Sequence, residues 1–599
     1  MTAANKYKWV TVMVLLTFFI WSSLEMWNRW QEDILWRYLP LLCFFSIWNA
    51  AAMIFGVNPF KGGHQARVFV WPLVGALLLS MSFPPFPFPL LAAFGFVPLL
   101  LLTDADRSEK KVKKQWLFIG YHGFINWNIL ATFWVANTAF AAGIFAIVAN
   151  SFLMLIPWAL FLYSRHRIGF IRAGFIFLSF WLTFEFLHHR WELTWPWLTL
   201  GNALSSMPIL AQWYEFTGTL GGSLWILGGN WWAYLAVKRY RQGYRDAAVN
   251  FLLFRLLPWL VIPILISIAL FYQSPTESTD SIRVAVVQPN FEPHYEKFEI
   301  SQSEQIRRMY HQVEYALEQG AEVVVLPETS LRVSLHLNGQ DDQIRTFSRL
   351  MSNYPGSTLL SGLNSFYVFD REDIDPEFLR IHVGPSGDTT FWESHNSAAT
   401  IDDNGISEIY YKSKLVPGAE IFPFSDLLFF MEGLVDQLGG STSGLRTQKE
   451  RTVLSANEKK LAPVICYESI FGEYHSGYFE NGAEAIVIMT NDGWWDDTPG
   501  HIQHLKIGTL RAIEYRKEIA RSANTGISCF IDEKGTIRFP TAYEVEAVVI
   551  DDVLLNKRVT FYARYGDYLG RLAALLSVGF LLLIPAVYAR RKSEKNTGL

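Results

Sequence analysis

The chain has 599 residues, of which 51% are hydrophobic, 16% aromatic and only 18% charged, and its formal net charge is −4. This length is too great for one compact domain, and the slightly negative charge argues against a nucleic-acid-binding protein. Long apolar runs lie within residues 9–272 and again at 573–588, whereas residues 281–555 have the charge density of a globular domain. The sequence therefore predicts a membrane region, a water-soluble domain and a closing membrane anchor.

Ten apolar segments are predicted to span a membrane as helices, because a bilayer core of about 30 Å calls for about 20 helical residues. The predicted spans are residues 10–24, 38–56, 68–83, 87–103, 116–136, 139–163, 170–188, 219–237, 252–272 and 573–589. The proline-rich segment 83–89 fits either a tight turn at the membrane face or a kinked helix entry. No small-residue cleavage site follows the first apolar run, which is therefore expected to be an anchor.

The orientation of the spans follows from basic residues that fall in alternate loops. These residues are Lys6, Lys8, Lys61, Arg67, Lys110, Lys111, Lys113, Lys114, Arg165, Arg167, Arg172, Lys238, Arg239, Arg241, Arg245, Arg590, Arg591 and Lys592. By the positive-inside rule, both termini are predicted to be cytoplasmic and residues 273–572 to lie outside the cytoplasm.

The loop 189–218 is predicted on the same side of the membrane as the soluble domain and is rich in tryptophan. Trp191, Trp195 and Trp197 are typical of an interfacial aromatic belt, which is the favoured interpretation, but they also suit a lipid-facing floor of an active site. Glu215 is predicted to extend its carboxylate to the membrane interface, and a polar group facing the site is the alternative.

The soluble domain alternates short apolar runs with polar helical stretches. Strands are predicted at 282–288, 321–326, 357–362, 396–401, 406–411, 461–465, 484–489, 525–531 and 545–551, and helices at 301–319, 470–481 and 501–522. Strands buried on both faces and separated by helices and hairpins indicate an α/β layered domain. The stretches 365–395 and 421–460 lack a clear period and are predicted to be lids or binding loops.

Three side chains with nucleophilic or ionisable groups lie at the ends of predicted strands. Cys466 ends one apolar run, Glu328 follows Pro327 after a second, and Lys412 follows a third. A thiol nucleophile, a carboxylate base and a positive charge for an oxyanion are the parts of an acyl-transfer site. The alternatives are a buried structural cysteine and a surface glutamate, and strand geometry alone does not choose between Lys412 and Lys414. The chain has three cysteines, too few for a disulfide framework.

These segments carry a family resemblance. The runs Leu326-Pro327-Glu328-Thr329, Tyr411-Lys412-Ser413-Lys414-Leu415-Val416-Pro417 and Ile465-Cys466-Tyr467-Glu468 resemble, in this order, the signature segments of the nitrilase superfamily. The membrane region, Trp195-Pro196-Trp197-Leu198 and Thr490-Asn491-Asp492-Gly493-Trp494-Trp495 narrow the resemblance to the apolipoprotein N-acyltransferases, over about residues 68–589.

The resemblance implies a multi-pass α-helical membrane bundle and an extracytoplasmic nitrilase-like domain, an αββα sandwich, in the bacterial inner membrane. It implies catalytic roles for Glu328, Lys412 and Cys466, with no cofactor. Supporting or substrate-binding roles are implied for Glu420, Tyr467, Glu468, Trp494 and Trp195. The expected domains are two additional N-terminal helices at 1–60, the bundle at 61–272, the catalytic domain at 273–560 and the last helix with its tail at 561–599.

Two implied supporting residues have open interpretations. Glu420 is expected to orient Lys412, and Glu468 either to bind an incoming amine or to brace the pocket, with solvated surface acids as the alternative. The chain has Pro417-Gly418-Ala419-Glu420 where the family commonly has Pro-Phe-Gly-Glu, so this loop lacks an aromatic contact expected for lipid.

His501 and His504 lie three residues apart, and Asp492 precedes them. This spacing suits a metal site, but no third histidine or cysteine cluster accompanies it. A packing role at the start of a helix is favoured, and no metal is expected.

The resemblance implies acyl transfer from a phospholipid to the N-terminal amine of a diacylglyceryl-cysteine on an apolipoprotein, through a thioester on Cys466. The protein is expected to act as a monomer. A membrane-tethered amidase in which water resolves the thioester, and a non-catalytic lipid-binding scaffold for another membrane enzyme, are the alternatives. A transporter is disfavoured because the spans contain few charges.

Overall fold

A computed structural model describes residues 2–104, 110–168, 170–273, 280–295, 299–335, 341–369, 380–383, 389–421 and 444–596. Within these residues the chain forms a helical region, a two-sheet domain and a C-terminal helix. Four helical stretches are long and apolar enough to cross a membrane: Ala3–Gln31, Phe140–Arg165, Arg245–Tyr272 and Tyr568–Ala586.

Helices occupy the predicted membrane segments. They are α1 (Ala3–Gln31), α2 (Leu39–Phe55), α3 (Gly63–Ser80), α4 (Val97–Leu102), α5 (Lys110–Thr132), α6 (Val135–Thr138), α7 (Phe140–Ile168), α8 (Phe170–His188), α9 (Tyr214–Arg241), α10 (Arg245–Phe251) and α11 (Leu257–Tyr272). The predicted single helix at 87–103 is wrong. Pro89 begins a 3₁₀ helix that ends at Phe94, and Pro98 lies at the start of the short α4, because proline suits a first helical turn and disrupts a helix interior.

Polar contacts join the two N-terminal helices to the rest of the helical region. Asn49 of α2 donates to Asn126 of α5 at 2.9 Å, and the Trp48 indole donates to His122 at 3.1 Å. Hydrogen bonds between buried side chains fix the register of neighbouring membrane helices, because an unpaired polar group in hydrocarbon costs free energy. Met26 of α1 lies in one buried cluster with Ile125 and Ile129 of α5, so both N-terminal helices pack on the bundle.

The soluble domain contains two β-sheets. Its strands are β1 (Ser281–Gln288), β2 (Val323–Ser334), β3 (Thr358–Phe369), β4 (Arg380–Val383), β5 (Thr389–Asp402), β6 (Gly405–Tyr411), β7 (Leu454–Ala456), β8 (Lys459–Ile465), β9 (Ala485–Thr490), β10 (Ile519–Ala523), β11 (Cys529–Ile531), β12 (Ile537–Arg538) and β13 (Ala547–Leu554). One sheet has the order β13-β1-β2-β3-β5-β4, with β6 beside β5, and the other has the order β12-β11-β10-β9-β8-β7.

The two sheets face each other across a shared apolar core. Strands β1 and β2 of the first sheet lie against β9 and β10 of the second, and Val286 and Val325 belong to the same buried cluster as Val487. The outer face of the first sheet is covered by two helices, α12 (Gln302–Glu318) and α13 (Asp342–Met351). These layers confirm the predicted α/β sandwich.

Helix α15 (Pro499–Tyr515), which follows the short α14 (Ser476–Glu480), joins the sandwich to the helical region. Its Leu505 and Ala512 belong to the buried cluster of the sandwich, whereas Leu510 and Ile513 pack in the core of the helical bundle. The chain then passes through α16 (Phe561–Tyr565) into the last helix, α17 (Tyr568–Asn596). One helix thus contributes to both cores and fixes the soluble domain on the helical region.

Several predicted boundaries are wrong. The predicted helix 501–522 ends at Tyr515, because Arg516 takes a left-handed conformation and Ile519–Ala523 is a strand. The predicted loop 365–395 is largely strand where it is described, at Thr358–Phe369, Arg380–Val383 and Thr389–Asp402. Of the predicted loop 421–460, residues 422–443 lie outside the described part, and β7 and the start of β8 lie within the remainder.

Candidate active site

Cys466 lies where β8 ends and a 3₁₀ turn, Cys466–Ile470, begins. Its backbone has φ of 47°, a left-handed conformation that is uncommon for residues other than glycine and is costly to hold. Its carbonyl oxygen accepts hydrogen bonds from the Ser469 hydroxyl at 2.8 Å and from His504 Nε2 at 3.0 Å. The side chain is 8% exposed. A strained turn held by side chains thus presents the thiol at the end of the strand.

A buried chain of polar groups supports this turn. His504 Nδ1 lies 2.8 Å from Asp492 Oδ1, and Asp492 is also ion-paired with Arg521. Burial opposes ionisation of Asp492, but the Arg521 guanidinium and His504 lower its pKa below the ordinary value. The predicted packing role of His504 is therefore too general, because the ring also contacts the carbonyl oxygen of Cys466. His501 does not join it and stacks on Tyr543, with ring centroids 4.4 Å apart.

Lys412 is buried between two carboxylates. Its Nζ lies 2.8 Å from Glu328 Oε1 and 2.9 Å from Glu420 Oε1, and the side chain is 1% exposed. Asn396 Nδ2 donates to the same two oxygens, at 2.8 and 2.9 Å. Burial alone would lower the pKa of Lys412, but Glu328 and Glu420 raise it well above the ordinary value. The amine is therefore a fixed positive charge in a low-dielectric site.

Glu328 reaches this site through an irregularity in β2. The pairing of β2 with β3 shifts register between Leu326 and Leu331, so Pro327 does not stop the strand as predicted but starts a bulge that redirects the chain. Gly362 on β3 permits this bulge, because a Cβ atom there would lie 2.4 Å from the Pro327 carbonyl oxygen and 2.7 Å from Glu328 Cα. The bulge brings the carboxylate to Lys412.

Cys466 lies within electrostatic range of both Glu328 and Lys412. Burial is the largest cause that raises the pKa of its thiol, and the Glu328 carboxylate raises it further. Lys412 and a hydrogen bond with Thr490 oppose them without cancelling them. The pKa of the thiol therefore lies above its ordinary value. Its activation requires a base, a role for which Glu328 is placed.

Glu468 braces the site. Its Oε1 accepts from the Ser413 amide at 2.7 Å and from the Tyr410 hydroxyl at 2.6 Å, and its Oε2 accepts from the Ile465 amide at 2.9 Å. These bonds connect the strand that carries the nucleophile to the segment that carries Lys412. The bracing interpretation is therefore favoured over binding of an incoming amine, because the carboxylate is fully buried and occupied.

Lys414 points away from the two carboxylates. Its Nζ donates to the His189 carbonyl at 3.4 Å and lies 5.1 Å from the ring centroid of Phe471. Burial lowers its pKa to about 8. The choice between the two lysines, which strand geometry left open, therefore falls on Lys412.

Aromatic side chains connect the nucleophile turn to the membrane region. The Tyr467 hydroxyl donates to the Thr194 carbonyl at 2.9 Å, and its ring centroid lies 6.4 Å from that of Trp197. Trp197 is 2% exposed and also packs edge-on against Trp134 and Trp495. The favoured aromatic-belt interpretation therefore fails for Trp197, which packs directly under the catalytic domain.

Two other predicted supporting tryptophans occupy different positions. Trp195 is half-buried with its ring centroid 6.3 Å from that of Trp197, so it belongs to the aromatic cluster beside the nucleophile. Trp494 packs edge-on against His294 at 5.2 Å, and its carbonyl accepts from the Thr138 hydroxyl at 3.2 Å. The structure thus places Trp195 beside the site and Trp494 at a contact with α6.

Glu215 does not extend to a membrane interface as predicted. Its carboxylate is buried and ion-paired with Arg516 at 2.7 Å and with Arg558 at 3.3 Å. Both arginines belong to the soluble domain, so these ion pairs join the helical region to the soluble domain. A buried carboxylate requires such partners because desolvation of its charge is costly.

A metal site is not found near His504. Among the residues that the structure describes, no group of three or more histidine, cysteine, aspartate or glutamate side chains has the arrangement of a metal site. Asp492 and His504 instead satisfy each other and the nucleophile turn.

Both parts of the chain are similar to known proteins. Residues 283–559 match the Carbon-nitrogen hydrolase family, and residues 75–232 match the Apolipoprotein N-acyltransferase N-terminal domain. The chain is 28% identical to the apolipoprotein N-acyltransferase of Chlorobaculum tepidum over 88% of its own length and 98% of that protein. It is 25% identical to the apolipoprotein N-acyltransferase of Geobacter metallireducens over 88% of its own length and 96% of that protein. An amidase from Nesterenkonia sp. aligns with 50% of this chain and 99% of its own, at 16% identity and a TM-score of 0.33.

The sandwich and its cysteine site therefore define a membrane-bound protein of the carbon-nitrogen hydrolase class. Its helical region narrows this class further. The chain belongs to the apolipoprotein N-acyltransferase family, which confirms the predicted resemblance.

Proposed function

We propose that this enzyme transfers an acyl chain from a phospholipid to the free α-amine of a diacylglyceryl-cysteine at the N-terminus of an apolipoprotein. The reaction would be the last step of lipoprotein maturation. The observation that carries this proposal is the position of Lys412, held at 2.8 Å from Glu328 and within electrostatic range of the Cys466 thiol. Catalytic roles for these three residues are part of the proposal.

In the first half-reaction, Glu328 accepts the thiol proton while Cys466 sulfur attacks the ester carbonyl of the phospholipid. Lys412 and nearby backbone N–H groups stabilise the oxyanion of the tetrahedral intermediate. The C–O bond then breaks, and the leaving lysophospholipid oxygen takes the proton from Glu328. The acyl chain remains on Cys466 as a thioester.

In the second half-reaction, the α-amine of the apolipoprotein attacks the thioester carbonyl. An N–C bond forms and the C–S bond breaks, with Glu328 accepting the proton that the amine loses and returning it to the Cys466 sulfur. The products are an N-acylated lipoprotein and the free enzyme. Both substrates are anchored in lipid, which accounts for the union of a hydrolase-like sandwich with a membrane bundle.

The proposed location is the bacterial inner membrane, with the catalytic domain on the periplasmic side. Support comes from the alternate basic loops and from the tight packing of Tyr467 and Trp197, which brings the nucleophile turn against the membrane region. We also propose the domain boundaries 60, 272 and 560 and a monomeric enzyme.

Intact-protein mass spectrometry after incubation with phospholipid vesicles tests the proposal. We expect an acyl adduct on Cys466 that disappears when a diacylated lipopeptide with a free N-terminal amine is added, with formation of the N-acylated product. The same lipopeptide with an acetylated amine should leave the adduct in place. A Cys529→Ser variant is the matched thiol control, since Cys529 is a second fully buried thiol of the same domain.

Three outcomes separate the alternatives. Fatty acid released in step with adduct loss, without N-acylated product, would identify an amidase-type hydrolase. Full lipoprotein maturation in cells by Cys466→Ala would identify a non-catalytic scaffold. Adduct formation on Cys529 in place of Cys466 would contradict the assignment of the nucleophile.

A further inference from the structure

A cavity of about 580 Å³ opens between the N-terminal helices and α5. Its lining includes Trp21 and Arg29 of α1, Arg37 and Tyr38, Leu41 and Leu42 of α2, and Leu130 of α5. This volume lies in the range of about 300–1,000 Å³ that is typical of small-molecule sites. Trp21 and Arg29 are eight residues apart on α1, about 12 Å along a helix axis. The cavity is therefore long and mainly apolar, as a lipid acyl chain requires.

Arg37 gives one end of this cavity a positive charge. Its backbone has φ of 50°, its N–H donates to Asp496 Oδ2 at 2.8 Å, and its carbonyl accepts from Asn137 Nδ2 at 3.1 Å. Within the described part of the chain, its guanidinium has no hydrogen-bond or ion-pair partner. A strained backbone clamped from two sides thus presents an available guanidinium at the cavity. Guanidinium groups bind phosphate oxygens in bidentate fashion.

The charges around Arg37 restrict the headgroup that fits. The other arginine of the cavity, Arg29, is ion-paired with Glu25 at 2.9 Å. Asp496 and Glu544 lie within electrostatic range of Arg37. A headgroup with a phosphate and a compensating positive charge suits this mixture, because an additional anionic group would face the carboxylates.

The cavity adjoins the aromatic cluster beside the nucleophile. Leu41 lines the cavity and also packs in the hydrophobic cluster that contains Trp197 and Tyr467. The ring centroids of Tyr38 and Phe133 lie 5.3 Å apart, which joins the mouth of the cavity to that cluster. Helices α1 and α2, which line the cavity, both precede residue 75, where the match to the N-terminal family domain begins.

We propose that the two N-terminal helices form a binding site for one zwitterionic phospholipid, with an acyl chain in the cavity and the phosphate on Arg37. The bound lipid lies beside the aromatic cluster that carries the nucleophile turn. The site is distinct from Cys466 and its occupation does not require the acyl-transfer reaction.

Photo-crosslinking of the full chain in lipid nanodiscs tests this site. The probe is a phosphatidylcholine with a diazirine in one acyl chain, and the adducts are mapped by peptide mass spectrometry. We expect adducts concentrated on residues 36–45 and on Leu130 relative to the exposed face of α17. Arg37→Ala should lower the adduct yield by about tenfold, because loss of one charge-assisted hydrogen bond lowers the affinity for the lipid by about that factor. Leu42→Trp, which fills the cavity, should lower it too.

Arg564→Ala is the matched control, since Arg564 is exposed beside the last helix and does not line the cavity; it should leave the yield unchanged. Arg37→Lys should retain part of it. Equal yields on the N-terminal helices and on α17, or a yield unaffected by Arg37→Ala, would mean ordinary boundary lipid and overturn the proposal. Stronger competition by unlabelled phosphatidylglycerol than by phosphatidylcholine would overturn the zwitterionic assignment. Thermal melting and adduct formation on Cys466 are measured in parallel, so failure of the lipid site is distinguished from misfolding and from failure of the proposed reaction.

Discussion

Asn396 and Lys412 donate to the same two carboxylate oxygens, Oε1 of Glu328 and Oε1 of Glu420, all at 2.8–2.9 Å. The four groups form one closed arrangement in which a neutral amide and an ammonium share two anions. Asn396 also accepts the Lys412 amide N–H on its backbone carbonyl at 2.8 Å. The position of Glu328, the proposed base, therefore depends on a residue on β5 that no sequence motif identifies.

Replacement of Asn396 tests this dependence. Asn396→Ala removes one donor from each carboxylate, and loss of a hydrogen bond to a charged group costs about 1.5–3 kcal/mol. We expect kcat to fall by about 10–100-fold, the range that this free energy represents, with little change in KM for the lipopeptide. Asn353→Ala, at an exposed asparagine, is the control. A higher KM for the lipopeptide with kcat preserved would contradict a role in positioning the base.

Lys412 and Lys414 are predicted to differ sharply when each is replaced by methionine. Lys412→Met leaves Glu328 and Glu420 buried without their cation, and breaking a buried ion pair costs about 3–5 kcal/mol of stability. Thioester formation should cease and the melting temperature should fall. Lys414→Met removes a half-buried amine that donates to the His189 carbonyl and lies over the Phe471 ring, away from Glu328 and Glu420, so thioester formation should persist.

Stability in Lys412→Met should be partly restored by adding Glu328→Gln, because the second change removes one of the uncompensated charges. Activity should not return. Thermal melting of the two variants and the double variant measures the coupling. If Lys414→Met abolished thioester formation while Lys412→Met did not, the assignment of the lysine would be wrong.

The ionisation of Cys466 gives a prediction with a defined sign. Burial and the Glu328 carboxylate raise the pKa of the thiol, whereas Lys412 lowers it. Glu328→Gln removes the raising charge and leaves the lysine, so the pH midpoint for alkylation of Cys466 should move to lower pH. Acyl transfer should nevertheless fall, because no base remains for the thiol and amine protons. Glu420→Gln should move the midpoint less. An alkylation midpoint that rises in Glu328→Gln would contradict this electrostatic account.

The raised thiol pKa also affects stability. A group whose folded pKa is raised stabilises the fold fully below its unfolded pKa, about 8.5 for cysteine, and loses that contribution as pH rises toward the folded value. Wild-type protein should therefore lose stability above about pH 8.5 relative to Cys466→Ala. Melting temperatures of both proteins across this alkaline range provide the measurement.

The sequence was sufficient for the parts of the fold that depend on local pattern. Apolar segments of sufficient length identified the membrane helices, and buried runs before Glu328, Lys412 and Cys466 identified three strands. The exceptions arise from tertiary context. The strand at 519–523 was assigned to a helix because its residues Ile519 and Ala520 continue an apolar pattern, while the left-handed Arg516 that ends the helix carries no glycine signal.

The chemical groups at the site were predictable, but their surroundings were not. Motif order and strand ends located Cys466, Glu328 and Lys412, whereas Asn396 and His504 act through contacts with residues 68 and 38 positions away along the chain. The raised pKa of the thiol could not be predicted from the motif either, because it depends on burial and on a neighbouring carboxylate. Such long-range and electrostatic effects have no periodic signature.

His504 provides the last prediction, since its Nε2 holds the Cys466 carbonyl at 3.0 Å in a left-handed turn. His504→Ala removes a buried donor and leaves Asp492 without one partner, so we expect a loss of about 1–3 kcal/mol in stability. The alkylation rate and kcat should both fall while KM is retained, because the thiol no longer has a fixed position. His501→Ala, which removes a ring stacked on Tyr543, is the control. A purely structural role would lower the melting temperature while the alkylation rate of the folded protein stayed at the wild-type value, and that result would exclude His504 as a positioning residue for the nucleophile.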